Sequence, residues 1–165
     1  MKKIGKIVVV MAILGAVGGY IYIKSTAAQI GEKAPEIRAK LIDGTLFKLS
    51  DLRGEYVVLS FWGSWCGPCR SEAPQIVALD AEYKEKMHLV TMAFEKNAES
   101  GRAVSKLGGY SWKYQIIEES SLLLLSQTAR DYGVSSIPAI FLISPEGEVM
   151  KPSTIAEIDS FLSKL

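Results

Sequence analysis

From Ile7 to Ile23 the chain carries no charged residue, and lysines stand on both sides: Lys2, Lys3 and Lys6 before the run, Lys24 after it. Seventeen residues at about 1.5 Å each make roughly 26 Å, close to the hydrocarbon thickness of a bilayer. Tyr20 and Tyr22 fall near one end, where amphipathic rings suit the headgroup layer. The pattern predicts a transmembrane anchor over 7–24. The lysine asymmetry predicts that residues 1–6 stay in the cytoplasm and that everything after the anchor lies outside. Ser25-Thr26-Ala27 and Thr26-Ala27-Ala28 are small-residue sites, so a cleaved signal peptide is the alternative, with the same outcome for location.

Beyond the anchor the apolar positions change period. Residues 25–34 read as a linker to a domain spanning 35–165. Partial alternation over Glu36–Ile42, an Asp43-Gly44 turn and a return over Thr45–Leu49 predict a hairpin. Tyr56–Trp62 is a continuous apolar run, as in a strand buried on both faces. A helix is predicted from the segment after Gly63–Cys69 to about Lys86, then a strand over His88–Phe94 and a helix over Glu99–Leu107. A short strand follows at Tyr114–Ile117, and one helix is predicted over Leu122–Tyr132 with Leu122–Leu125 in the core. Ala139–Ser144 and Glu148–Met150 flank Pro145-Glu146-Gly147 as a second hairpin. Thr154–Leu165 closes the chain as an amphipathic helix, with Ile155, Ile158, Phe161, Leu162 and Leu165 on one face. Alternating strands and helices, ended by a hairpin and a helix, predict an α/β fold with a mixed sheet.

Composition narrows the chemistry. Of 165 residues, 48% are hydrophobic, but the excess sits in the N-terminal run. A net charge of +1, with no dense basic patch past Lys6, gives no footing for nucleic acid. Two cysteines and one histidine cannot close a four-ligand zinc site, so no metal and no cofactor is expected. His88 opens a strand with no second ligand at suitable spacing, and Glu95-Lys96 and Glu118-Glu119 read as solvated surface.

Cys66-Gly67-Pro68-Cys69 lies where a buried strand meets a helix. No histidine follows Cys69, which excludes c-type haem attachment. The spacing brings two thiols of a first helical turn within disulfide reach. Cys66 at a helix N-terminus would have its thiolate stabilised by unpaired amides and the macrodipole. Cys69, one turn inward, would resolve a mixed disulfide. Pro68 suits a first turn, where its missing N–H would be unpaired anyway.

Phe61-Trp62-Gly63-Ser64-Trp65-Cys66-Gly67-Pro68-Cys69-Arg70 resembles the active-site segment of thioredoxins, Pro74 their helix-kinking proline, and Gly133–Pro138 the loop with their cis-proline. Within that superfamily the chain is most similar to the membrane-anchored, extracytoplasmic TlpA/ResA-like proteins. The anchor, the early hairpin and a helix–strand insertion near 96–118 suit that branch. The resemblance implies a thioredoxin fold. It implies Cys66 and Cys69 as catalytic residues and as the redox-active disulfide, and a cis Ile137–Pro138 bond facing Cys66. Trp65, Ile137 and Pro138 would contact substrate. Where thioredoxins bury an aspartate, this chain has Ser60; Glu72, three residues after Cys69, matches a glutamate frequent in the branch and would accept the Cys69 proton. The implied activity is reduction of oxidised protein substrates, apocytochromes c among them, with electrons from a thiol-relay donor in the bacterial cytoplasmic membrane. A disulfide oxidase is the alternative within the class, and a copper-handling protein or a non-catalytic binding module the alternative from a different one. Peroxiredoxins place Thr where Gly63 stands, and copper-delivery relatives use a wider cysteine spacing with a distal histidine; neither pattern is present.

Overall fold

The computed structural model describes residues 2–120, 122–152 and 154–165, with side chains described outside 2–5, 20–26 and 151–152. Five strands form one mixed sheet in the order β5-β4-β3-β6-β7. β3 (Tyr56–Trp62), β4 (Met87–Phe94) and β5 (Tyr114–Glu118) run parallel, while β6 (Ala139–Ile143) and β7 (Val149–Pro152) are antiparallel additions. β1 (Arg38–Lys40) and β2 (Leu46–Lys48) form the expected hairpin as a separate two-stranded sheet, hooked to β5 through a Leu41–Ile116 bridge.

β3 is central, and its side chains alternate with period two as a strand requires. Val57, Leu59 and Phe61 join Val90, Met92, Phe94, Tyr132 and Phe141 on one face. Val58 joins Leu89 and Leu142 on the other, under α2 (Gly67–Tyr83) and α5 (Ile155–Leu162). The same alternation points Ser60 and Trp62 toward α2. Of the face expected on α5, Ile158 and Leu162 are fully buried and Ile155 and Phe161 pack beside them; Leu165, past the helix end, is 53% exposed.

Two expectations are corrected. The stretch over Leu122–Tyr132 is not one helix. A 3-10 turn at Leu123–Leu125 ends at Ser126, whose extended backbone starts α4 (Gln127–Asp131) afresh. The Ser126 hydroxyl accepts the Ala129 N–H at 3.0 Å and donates to Glu118 at 2.9 Å; serine competes with helix continuation in this way. Leu122, Leu124 and Leu125 consequently face outward, 61%, 75% and 69% exposed, and are not core. The second correction concerns Glu95, which is buried, not solvated. Glu118 is also half-buried, held by Ser126, while Glu119 is exposed and accepts the Ala98 N–H.

Residues 27–34, read as linker, are bonded along the domain. Ala28 N–H donates to Asp131 O, Gly31 N–H to Val149 O and Ala34 N–H to Gly147 O, at 2.7–2.9 Å, and Ala27 is buried. Before them a helix, α1 (Lys2–Thr26), covers the predicted anchor, and its side chains from Ile7 to Val17 are largely exposed. Among the described residues no helix is long and apolar enough to cross a membrane. Tyr20 and Tyr22 lie outside the described side chains.

Candidate active site

Because β3, β4 and β5 are parallel, their C-terminal ends share one edge of the sheet, and the cysteine motif sits there. β3 ends at Trp62, a three-residue loop follows, and Cys66 caps α2 in extended conformation. Cys66 Sγ accepts the Cys69 N–H at 3.2 Å, satisfying an amide that the first helical turn would otherwise leave unpaired. Pro68 occupies the first turn without cost. The two sulfurs are joined in a disulfide, with Cα atoms 5.3 Å apart. Cys66 and Cys69 are 5% and 4% exposed, while Gly67 and Pro68 between them are open to solvent. Pro74, inside α2, lacks the amide that would pair with the Arg70 carbonyl.

Across from the pair, the Ile137–Pro138 peptide bond is cis, and the Ile137 carbonyl oxygen lies 3.6 Å from Cys66 Sγ. Trp65 is 48% exposed, with its indole N–H donating to Phe94 O at 2.8 Å. The sequence-derived set of Trp65, Cys66, Gly67, Pro68, Cys69, Ile137 and Pro138 therefore meets at one place.

Glu72 meets it from below. It is half-buried on α2 and shares a cavity of about 20 Å³ with Cys69, Ser60, Thr91 and Pro138. That is room for about one water. Trp62, Tyr110 and Trp112 wall the same cavity: Trp62 and Tyr110 meet edge to face at 5.1 Å, and Tyr110 stacks on Trp112 at 4.5 Å. Burial pushes the Tyr110 phenol above its usual range. Trp112 N–H donates to Thr91 Oγ1 at 2.9 Å, whereas the buried Trp62 N–H has no protein partner among the described residues. Glu72 also borders an open cleft of about 480 Å³, between Pro138–Phe141 and the start of α5.

Sequence reasoning missed the residues that hold the loop. Glu95, directly after β4, accepts the Ser64 N–H at 2.6 Å and the Ser64 hydroxyl at 2.7 Å. Arg70 donates to the Ser64 carbonyl at 3.0 Å. One signal was present: an acid directly after a largely apolar strand, beside the motif's own strand, stands at the edge where α/β sheets place their chemistry. His88, at the opposite end of β4, packs edge-on to Tyr114. Among the described residues no group of three or more His, Cys, Asp and Glu is placed to hold a metal ion.

The comparisons agree with this geometry. A model described as the AhpC/TSA family matches residues 30–151. The thiol-disulfide oxidoreductase ResA of Bacillus subtilis is 33% identical over 134 residues, 80% of this chain and 71% of that protein. ResA of Bacillus thuringiensis is 28% identical over 176 residues, covering 100% of this chain and 99% of the relative. Among solved structures, the thioredoxin domain of a Bacteroides vulgatus thiol-disulfide oxidoreductase superposes with a TM-score of 0.72 at 20% identity, over 82% of this chain and 99% of that one. At that identity it speaks for the thioredoxin-like fold alone.

Proposed function

Given that the chain belongs to the AhpC/TSA family, we propose that it is a thiol–disulfide oxidoreductase whose dithiol, Cys66 and Cys69, reduces disulfides in protein substrates. The observation that carries this is the Cys66–Cys69 disulfide at the N-terminus of α2, facing the cis Ile137–Pro138 bond. In the reduced protein the Cys66 thiolate is favoured by the helix dipole and the Cys69 amide. It attacks one sulfur of a substrate disulfide, forming a mixed disulfide and releasing one substrate thiolate. The Cys69 proton passes toward Glu72, through the small cavity they share. The Cys69 thiolate then attacks Cys66 Sγ, closing the internal disulfide and releasing the second substrate thiolate. Two electrons have moved to the substrate, and a dithiol donor must return two electrons and two protons. An extended substrate segment can pair with the backbone beside Pro138.

The finer reading is that α1 anchors the chain in the bacterial cytoplasmic membrane with the domain outside, fed by a thiol-relay donor in that membrane. Cytochrome c maturation then supplies a class of substrate. The apolar run and its flanking lysines support this reading. A peroxidase reading is disfavoured by more than the missing threonine. A Cβ at Gly63 would lie 2.9 Å from the Trp65 indole nitrogen and 3.0 Å from Phe94 O, so a threonine does not fit the loop as built.

The test is the reduction potential of the pair in a thiol–disulfide buffer, together with trapping by the C69S variant. A midpoint near or below about −250 mV, with mixed disulfides accumulating on C69S, supports a reductase. A midpoint near about −120 mV makes it an oxidase, and no exchange at all ends the proposal.

A further inference from the structure

We infer that Glu95 is a positioning residue for the reactive thiol, acting through Ser64. Its side chain is 1% exposed, although burying a carboxylate is costly unless hydrogen bonds replace water. Both oxygens are used on one residue: Oε1 accepts the Ser64 N–H at 2.6 Å and Oε2 the Ser64 hydroxyl at 2.7 Å. Such charge-assisted bonds are the strong ones. Three further bonds hold the loop. The Ser64 carbonyl accepts from Arg70, the Trp65 indole donates to Phe94 O, and the Cys66 N–H donates to Gly63 O at 3.1 Å. The loop between β3 and Cys66 is thus clamped to the end of β4 on one side and to α2 on the other.

The roof over the carboxylate is built to the same purpose. α3 (Ala98–Leu107) passes Glu95 so closely that a Cβ at Gly101 would lie 3.0 Å from Glu95 Cγ and 2.9 Å from Ile117 Cδ1. Glycine there lets the helix seal the carboxylate away from solvent. The clamp matters most after reduction. In the disulfide, Cys66 is held to Cys69 covalently; in the dithiol, the loop's bonds and the helical bond from the Arg70 N–H to the Cys66 carbonyl at 3.2 Å keep Sγ at the Cys69 N–H and beside the Ile137 carbonyl.

This inference rests on Cys66 being the attacking thiol. Hydrogen-bond positioning and bare charge predict opposite signs. If Glu95 holds the loop, E95A lets Cys66 drift from its amide, and the thiolate is less favoured. If only the negative charge acts, its removal makes the thiolate more favoured. E95Q separates the two, because the amide oxygen can still accept the Ser64 N–H and its NH2 can donate to the Ser64 hydroxyl.

The experiment is the pH profile of alkylation of the reduced full-length chain by iodoacetamide, with the reduction potential measured on the same samples. Positioning is supported if E95A moves the profile to higher pH, slows alkylation at pH 7 by about tenfold or more, and makes the potential more negative, while E95Q recovers most of the loss. S64A, which deletes one of the two bonds, should move the profile the same way by less, and should add nothing to E95A. It also serves if E95A does not fold. The inference falls if E95A and S64A lower thermal stability but leave profile and potential unchanged. It falls equally if E95A and E95Q both shift the profile to lower pH. A wild-type chain whose Cys66 shows no activated thiol would instead overturn the function proposed above.

Discussion

Replacing Gly63 by alanine tests the packing at the mouth of the site. No strain in backbone dihedrals opposes it, since Gly63 is not among the glycines at positive φ. Three effects compete. The new methyl would meet Trp65 Nε1 at 2.9 Å, Trp65 Cε2 at 3.1 Å and Phe94 O at 3.0 Å. Phe94 O is backbone of β4, paired in register with Glu118 on β5, so the indole must yield. Overpacking of this kind costs about 1–3 kcal/mol. The indole–Phe94 bond of 2.8 Å is then lost, at about 0.5–1 kcal/mol because the half-exposed ring regains water. Against these, alanine restricts the unfolded chain and returns about 0.4–1 kcal/mol. The net is a loss of about 0.5–3.5 kcal/mol. Urea unfolding of the oxidised domain, followed by tryptophan fluorescence, reads it directly. The cost should shrink in a W65A background, with a coupling of at least about 0.5 kcal/mol between the two sites. If G63A is within about 0.5 kcal/mol of the parent and shows no coupling to Trp65, the close-approach argument is refuted, and with it the case against a threonine here.

E72Q should slow the step that depends on Cys69 by about tenfold or more while leaving the first attack by Cys66 intact; rapid-mixing kinetics with a chromogenic disulfide separate the two phases. Tyr83 donates to Asp159 at 2.9 Å, and this bond, with burial, pushes its phenol up to about 12. A phenol raised in the folded state stabilises fully below its unfolded value near 10, and that contribution is lost as pH rises toward 12. Y83F should therefore be less stable than the parent at neutral pH, with the gap closing between pH 10 and 12 in parallel denaturant titrations. L124S, at a side chain 75% exposed, should change stability by less than about 0.5 kcal/mol; a loss several times larger in thermal melts would restore the core reading of that leucine run.

Much of this was legible because local and global signals coincide. Tyr56–Trp62 was recoverable to the residue, since a strand buried on both faces leaves an unbroken apolar run. The hairpin at Asp43-Gly44 and the cysteine motif announced themselves by turn chemistry and spacing. The failures share a cause: hydropathy reports a residue's average preference, not the partner that overrides it. Four successive leucines look like core, yet the Ser126 cap, made together with Glu118, turns three of them outward. Glu95 looks like surface, yet two bonds to Ser64 and a glycine on the covering helix make its burial tolerable. Glu72 and Ile137–Pro138 were assigned roles by resemblance, and the structure brings both to the cysteines.

The bonding of residues 27–34 to α4 and β7 has a mechanical meaning. α1 ends at Thr26, and by Ala28 the backbone is already fastened to Asp131 O. One residue of free chain gives about 3.5 Å of play, too little for the domain to swing on a leash. If α1 is held in a membrane, the dithiol stays at one short, fixed reach from it. Its electron donor and its oxidised clients must then both come to that single address, in turn.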